Sequence, residues 1–421
     1  MSILNGILTT LLLIYIHKPT RLYLENNLRN KAYQSIFEGL KYIISINFII
    51  LILFAVYYLF SRIYMDLNEE IIRNFALLLG TSEEIYKDIS TPGFFYSISD
   101  NYVLPSHFDQ RYINTPLNLN SPPWGPLILY LNYLPMKLFG DSIFNTKIFN
   151  LISLVIFQYL IYLFCLEKTK NIKISFFFVG FISMILLSSA DAVINIRNDA
   201  FSYLIIFSSL FLIKEKEELS NIKSIFFGLI IAILINLKPI NIIALVPITF
   251  YLIFVNKKNY KWIILSIISF FIFNFIIWSM DNLSLTNYIN LLFFISQNIE
   301  GYTFELFIKN FLFCFIWIIP ISITIFIDWK RVYKEEKAFF LGLILASIFC
   351  SYHASRSGGG TADLFILIPS SIFLFIKSYQ RKSIFYKDSF LGFNLFYLLI
   401  LISIFLHSST KGVLKKIIFL S

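Results

Sequence analysis

The chain has 421 residues, of which 57% are hydrophobic and only 14% charged, with a mean hydropathy of +0.74. A soluble domain carries about 25% charged residues, so a soluble globular protein is excluded. The formal net charge of +10 does not call for nucleic acid, because the basic residues lie in short links between apolar runs, where the positive-inside rule places them in a polytopic membrane protein.

In chain order, residues 2–16 are apolar but have no basic flank and no small-residue cleavage site, so no cleavable leader is expected there; an interfacial helix or a short span fits. A basic segment, residues 17–41, follows. The expected spans are then 42–63, 147–166, 174–190, 200–213, 224–237, 240–255, 262–279, 309–327, 338–350, 362–376 and 390–406. Each is an apolar run near the roughly 20 residues that cross hydrocarbon, the shorter ones tilted or partly buried. The expected fold is an all-α polytopic membrane protein of about 11 transmembrane helices, one integral membrane domain over 1–421.

Residues 65–146 separate the first two strong spans and form the longest polar stretch. This loop holds nine acidic residues (Asp66, Glu69, Glu70, Glu83, Glu84, Asp88, Asp100, Asp109, Asp141) against four basic ones (Arg73, Lys87, Arg111, Lys137). The links that alternate with it are basic: Lys168, Lys170 and Lys173; Lys214, Lys216 and Lys223; Lys257, Lys258 and Lys261; Lys330, Arg331, Lys334 and Lys337; Lys377, Arg381, Lys382 and Lys387. Alternation from a cytoplasmic N-terminal region puts those links inside and the acidic loop outside. Lys411, Lys415 and Lys416 run against this pattern at the C-terminal end. Within the loop, residues 123–140 are apolar enough to insert, but Pro122, Pro123, Pro126 and Pro135 bound or interrupt them. Insertion would also reverse every downstream link, so a helix lying at the membrane surface is expected.

The candidate site residues fall on the expected outer side. Asp66 stands at the mouth of the first span, within reach of a group held by a lipid tail, and as a carboxylate can take a proton from a hydroxyl. Asp100 and Asp109 lie among Tyr102, His107, Arg111 and Tyr112, a mixture suited to stacking on and hydrogen bonding to a sugar; ordinary loop turns would look the same. Trp124 joins Tyr102 as a candidate sugar platform. Arg197 and Asp199 share a short turn with Asp191, where an Arg facing phosphate competes with plain mutual ion pairing. Lys238, followed by Pro239, is a cation between two apolar spans; an ionisable group at that depth marks function by default, and a lipid phosphate would supply its anion. His353 and Arg356 precede Gly358-Gly359-Gly360. No strand leads into those glycines, so a dinucleotide fingerprint is rejected, and the chain holds no P-loop to drive transport with ATP. Cys165, Cys314 and Cys350 form no CxxC pair and read as packing residues. With four histidines and no paired spacing, neither a metal site nor a cofactor is expected.

Four features in order resemble the GT-C superfamily of integral membrane glycosyltransferases, in its polyprenyl-phosphate-sugar branches. Asp66 follows the first span and precedes a helix-like stretch ending Leu77-Leu78-Leu79-Gly80. A Pro-Pro-led segment runs into Lys137-Leu138-Phe139-Gly140-Asp141. Asn195-Ile196-Arg197-Asn198-Asp199 opens a span, and a later span ends in Lys238-Pro239. The likeness covers about the first 260 residues. It implies a carboxylate base in the first outer loop, carried to Asp66 with Asp100 and Asp109 as alternatives because Asp66 is followed by Leu67 rather than a second acid. It also implies cationic contacts to a donor phosphate, carried to Lys238, with Arg197, His353 and Arg356 as further candidates. Tyr102, Trp124 and Asp199 are the candidates for sugar or acceptor. The implied activity is transfer of a sugar such as mannose from a polyprenyl-phosphate donor to a glycan, lipid or protein on the outer face of a bacterial inner membrane, with membrane lipids and the lipid-linked donor as partners. An O-antigen-type polymerase would carry its largest outer loop late in the chain rather than first. A lipid-linked sugar transporter or flippase would show two repeated halves with broken helices.

Overall fold

Apolar runs closed by polar caps set the helices. A computed structural model describes residues 31–60, 67–81, 84–86, 124–187, 193–194, 196–213, 218–256, 260–279, 282–298, 304–308, 310–311, 314, 332–355 and 361–380. The expected segments 2–16 and 390–406, most of 309–327, and the candidate residues Asp66, Asp100, Tyr102, Asp109 and Arg356 lie outside them.

The described residues are helical, with no strand among them. Helix α1 spans Lys31–Phe60 and α2 spans Leu67–Leu78. Helix α3 spans Pro126–Phe139, α4 Ile143–Thr169, α5 Ile172–Leu187 and α6 Asp199–Ser209. Helix α7 spans Asn221–Leu237. A 3₁₀ turn, Pro239–Leu245, then leads into α8, Val246–Val255. Helix α9 is Lys261–Trp278, α10 Leu285–Asn298 and α11 Lys334–Ala354. A second 3₁₀ turn, Thr361–Leu367, opens α12, Ile368–Gln380.

Length and composition suit three of these to cross a membrane, α4, α9 and α11; shorter apolar helices cover 44–60, 172–187, 199–212, 221–237, 239–255 and 363–374. Helix α9 is peripheral: Phe271, Ile272 and Phe275 are more than half exposed, a face made for lipid. Helix α10 falls between the expected spans 262–279 and 309–327. Polar Thr286, Asn287 and Asn290 lower its hydropathy, yet Tyr288 and Leu291, three residues apart, are buried on one face.

Local chemistry explains the stop and restart at Lys137-Leu138-Phe139-Gly140-Asp141. Gly140 takes φ +94° and donates its N–H to Met136 O at 2.9 Å, ending α3. Ser142 then caps α4, accepting the Asn145 N–H at 3.2 Å. Arg73 on α2 donates to both oxygens of Asp141 at 2.9 and 2.8 Å, fixing α2 against this turn.

In the bundle α1 packs on α5, α5 on α4, α4 on α6, and α6 on α7 and α12; α7 packs on α9 and α8 on α11. Glycines sit at three of these crossings. A Cβ at Gly180 would overlap the Ile44 carbonyl, one at Gly228 the Ser266 carbonyl, and one at Gly342 would lie 2.8 Å from Pro247 Cα. Close approach through small residues is the usual way helices pack where the hydrophobic effect cannot drive them together. At one end of the bundle Leu219 N donates to Asn256 Oδ1 at 2.8 Å and Gln380 Nε2 to Lys168 O at 3.2 Å. The opposite end carries Gly125, Arg197 and Lys238.

Candidate functional site

Helix α7 ends at Leu237, two residues before Pro239, which cannot donate a backbone N–H and disfavours helical backbone at the residue before it. Lys238 therefore leaves the helix in extended backbone, φ −146° and ψ 125°. The Trp124-Gly125-Pro126 segment of the long loop docks on this corner. Gly125 donates its N–H to Leu237 O at 3.1 Å, and a Cβ there would overlap the backbone of Asn236. No other residue fits, so the glycine sets how closely the loop approaches Lys238.

The Lys238 ammonium is hydrogen-bonded to Asp199 Oδ1 at the first turn of α6. Arg197 Nε lies 3.8 Å from Asp199 Oδ2. These groups sit close to sealed: the side chains of Lys238, Asp199 and Arg197 are 14%, 7% and 21% exposed. Two cations around one carboxylate leave a single net positive charge. Tyr203, one turn along α6, is within electrostatic reach of Asp199, Arg197 and Asp363, so the second 3₁₀ turn borders the same cluster. There His353 Nδ1 stands 3.3 Å from Asp363 Oδ2, with His353 the more exposed partner.

Asn198, between Arg197 and Asp199, is fully buried and takes the left-handed conformation, φ 56° and ψ 32°. That region is uncommon for non-glycine residues, with Asn among the most tolerant. It stands at the cap position of α6 but makes no side-chain cap. Among the described residues its Nδ2 and Oδ1 have no hydrogen-bond partner, nor has Asp199 Oδ2, whose contact is the 3.8 Å ion pair with Arg197. A buried polar group left in that condition costs about 1–3 kcal/mol.

A polar and aromatic clamp supports the corner from behind. Asn236 Nδ2 donates to Asn274 Oδ1, and Trp278 Nε1 to Asn236 Oδ1, each at 2.7 Å. Trp278 packs against Tyr288 at 5.2 Å and Tyr86 at 5.5 Å between ring centroids. The Tyr86 hydroxyl donates to Trp124 O at 2.7 Å, and Asn287 Nδ2 donates to Tyr86 O at 2.9 Å. Burial holds the Tyr86 hydroxyl well above its ordinary pKa, with Tyr288 and Tyr130 adding to it, and pushes Tyr130 up to about 12; both stay neutral at working pH.

Of the sequence candidates, the structure brings together Lys238, Arg197 and Asp199, with His353 at the border and Trp124 tied to the same corner through its backbone. One expectation changes: the anion facing Lys238 is Asp199, not a ligand alone. Trp124 is partly buried and packed on the core, so its ring is in part structural. Sequence reasoning missed Lys147, which is 2% exposed, donates to Tyr58 O at 3.0 Å and lies 3.8 Å from the Tyr58 ring centroid. A charge within an apolar span was the available signal. Among the described residues no group of three His, Cys, Asp or Glu side chains is placed to hold a metal, and Cys165, Cys314 and Cys350 are free and buried.

Residues 121–278 match the family model described as dolichyl-phosphate-mannose-protein mannosyltransferase, which belongs to the GT-C superfamily. The matched stretch holds the docking segment, the Lys137–Asp141 turn, Arg197, Asn198, Asp199 and Lys238, and closes at Trp278. No curated protein and no solved structure matches the chain. The match together with the apolar helices supports a membrane protein whose central segment is similar to GT-C-type glycosyltransferases.

Proposed function

We propose that this protein is a membrane glycosyltransferase that moves a sugar, with mannose the case the family match favours, from a polyprenyl-phosphate donor to a glycan, lipid or protein acceptor on the extracytoplasmic face of a bacterial inner membrane. The observation that carries the reading is the single net positive charge of Lys238, Arg197 and Asp199 at the end of the bundle where the long acidic loop docks. A sugar phosphodiester carries one negative charge, so donor and cluster neutralise each other. The lipid tail, held in the bilayer, fixes the head group against the cluster.

In the reaction a loop carboxylate, Asp66 first and Asp100 or Asp109 as alternatives, takes the proton of the acceptor hydroxyl. The acceptor oxygen bonds to the anomeric carbon with inversion as the bond from that carbon to the phosphate oxygen breaks. The departing polyprenyl phosphate gains a second charge, which Lys238 and Arg197 stabilise as it develops. His353, beside Asp363, is a further donor to that phosphate, as is Arg356. Membranes containing the protein should transfer radiolabelled mannose from polyprenyl-phosphate mannose to extractable lipid, glycan or protein, and membranes without it should not. Transfer from a nucleotide sugar alone, with polyprenyl-phosphate sugars inert, would overturn the reading.

A further inference from the structure

The cluster beside α6 contains more than cations. Lys238 and Arg197 form its partly exposed edge; its sealed part holds Asn198 and the second oxygen of Asp199. The atoms there that have no hydrogen bond among the described residues are one amide nitrogen, with two N–H donors, and two acceptor oxygens. Buried side-chain amides are nearly always hydrogen-bonded, and capping α6 does not use this one.

The chemistry of the set selects its ligand. A phosphate offers acceptors only: it would satisfy the amide N–H groups but face the Asp199 and Asn198 oxygens with nothing to donate. A hydroxyl both donates and accepts, and neighbouring hydroxyls on a sugar ring meet one donor group and two acceptors together. The flanking cations suit the phosphate to which such a sugar is joined.

We propose that Asn198, with the Asp199 oxygen that accepts no hydrogen bond, recognises hydroxyl groups of the sugar carried by the lipid donor and so sets which sugar is used. This rests on the lipid-phosphate reading above. The bland alternative is that Asn198 is present only because its backbone is left-handed, and glycine separates the two: Asn198→Gly keeps that backbone and removes the amide. Asn198→Asp, which keeps the shape and replaces the donors with an acceptor, is the second variant if the first folds poorly.

The measurement is binding by purified full-length protein of undecaprenyl phosphate and of undecaprenyl-phosphate mannose, glucose and galactose. Wild type should bind one of the sugar-bearing lipids more tightly than the bare phosphate. Either variant should lose about ten-fold of that preference, the scale of one or two hydrogen bonds, while affinity for undecaprenyl phosphate stays within about two-fold. Retention of the sugar preference in the variants would overturn the inference and leave the donor reading intact, as would a wild type that binds all four lipids equally. A wild type that binds none of them would remove the donor reading, and this inference with it.

Discussion

At the residue scale, Lys238 and Asp199 must be judged as a pair. Removing one partner of a nearly buried ion pair leaves an uncompensated charge, at a cost of about 3–5 kcal/mol. Lys238→Met should therefore lower the unfolding temperature in detergent, and Lys238→Met/Asp199→Asn should recover most of the loss without recovering turnover. A double variant as unstable as the single one would mean that the pair is not coupled. Asp66→Asn keeps shape and removes basicity, so turnover should fall by about 10²–10⁴ while undecaprenyl phosphate still binds; near-normal turnover, with Asp100→Asn or Asp109→Asn inactive, would move the base to the middle of the loop. Lys238 was legible in the sequence because a cation between two apolar runs is costly unless it snorkels to the interface or meets an anion. Its partner was not, because Asp199 lies 39 residues away and its neighbours offered local pairings. The role argued for Asn198 was illegible for a different reason: a left-handed backbone and an unpaired amide leave no trace in residue type.

At the element scale, the helix 126–139, the restart at Gly140 and the apolar helices from 143 to 278 could be read from proline placement, capping residues and hydropathy. Helix α10 could not, because a half-polar helix that buries one face against its neighbours looks like a link to any hydropathy argument. Nor could the docking of Trp124-Gly125-Pro126 on the end of α7, which depends on two backbones meeting 112 residues apart (237 − 125). That contact is testable. Gly125→Ala should displace the loop from Asn236 and Leu237 and cost about 1–3 kcal/mol, the usual penalty for overpacking, with a loss of donor binding at Lys238. Gly140→Ala is the contrast: a Cβ there meets nothing within 4 Å, so its cost is backbone strain at φ +94°, and binding at the cluster should survive. Equal loss of binding in both variants would separate the docking contact from the site.

For the whole molecule, the reading requires the cluster and the acidic loop to share the outer face. Because Cys165, Cys314 and Cys350 are buried, an impermeant thiol reagent should report on introduced cysteines. Asp88→Cys should be labelled in intact cells and Lys258→Cys only after lysis; the reverse pattern would invert the topology and every site placed by it. The central claim is that the Lys238 corner holds a lipid-linked phosphate. The most direct measurement is the affinity of purified wild type and of Lys238→Met/Asp199→Asn for undecaprenyl phosphate and for undecaprenol, which lacks the phosphate. Wild type should prefer the phosphate, and the double variant should bind it about 10–100-fold more weakly, the loss of one charge-assisted hydrogen bond of roughly 1.5–3 kcal/mol. Equal affinity of wild type for phosphate and alcohol, or unchanged phosphate binding by the double variant, would contradict it.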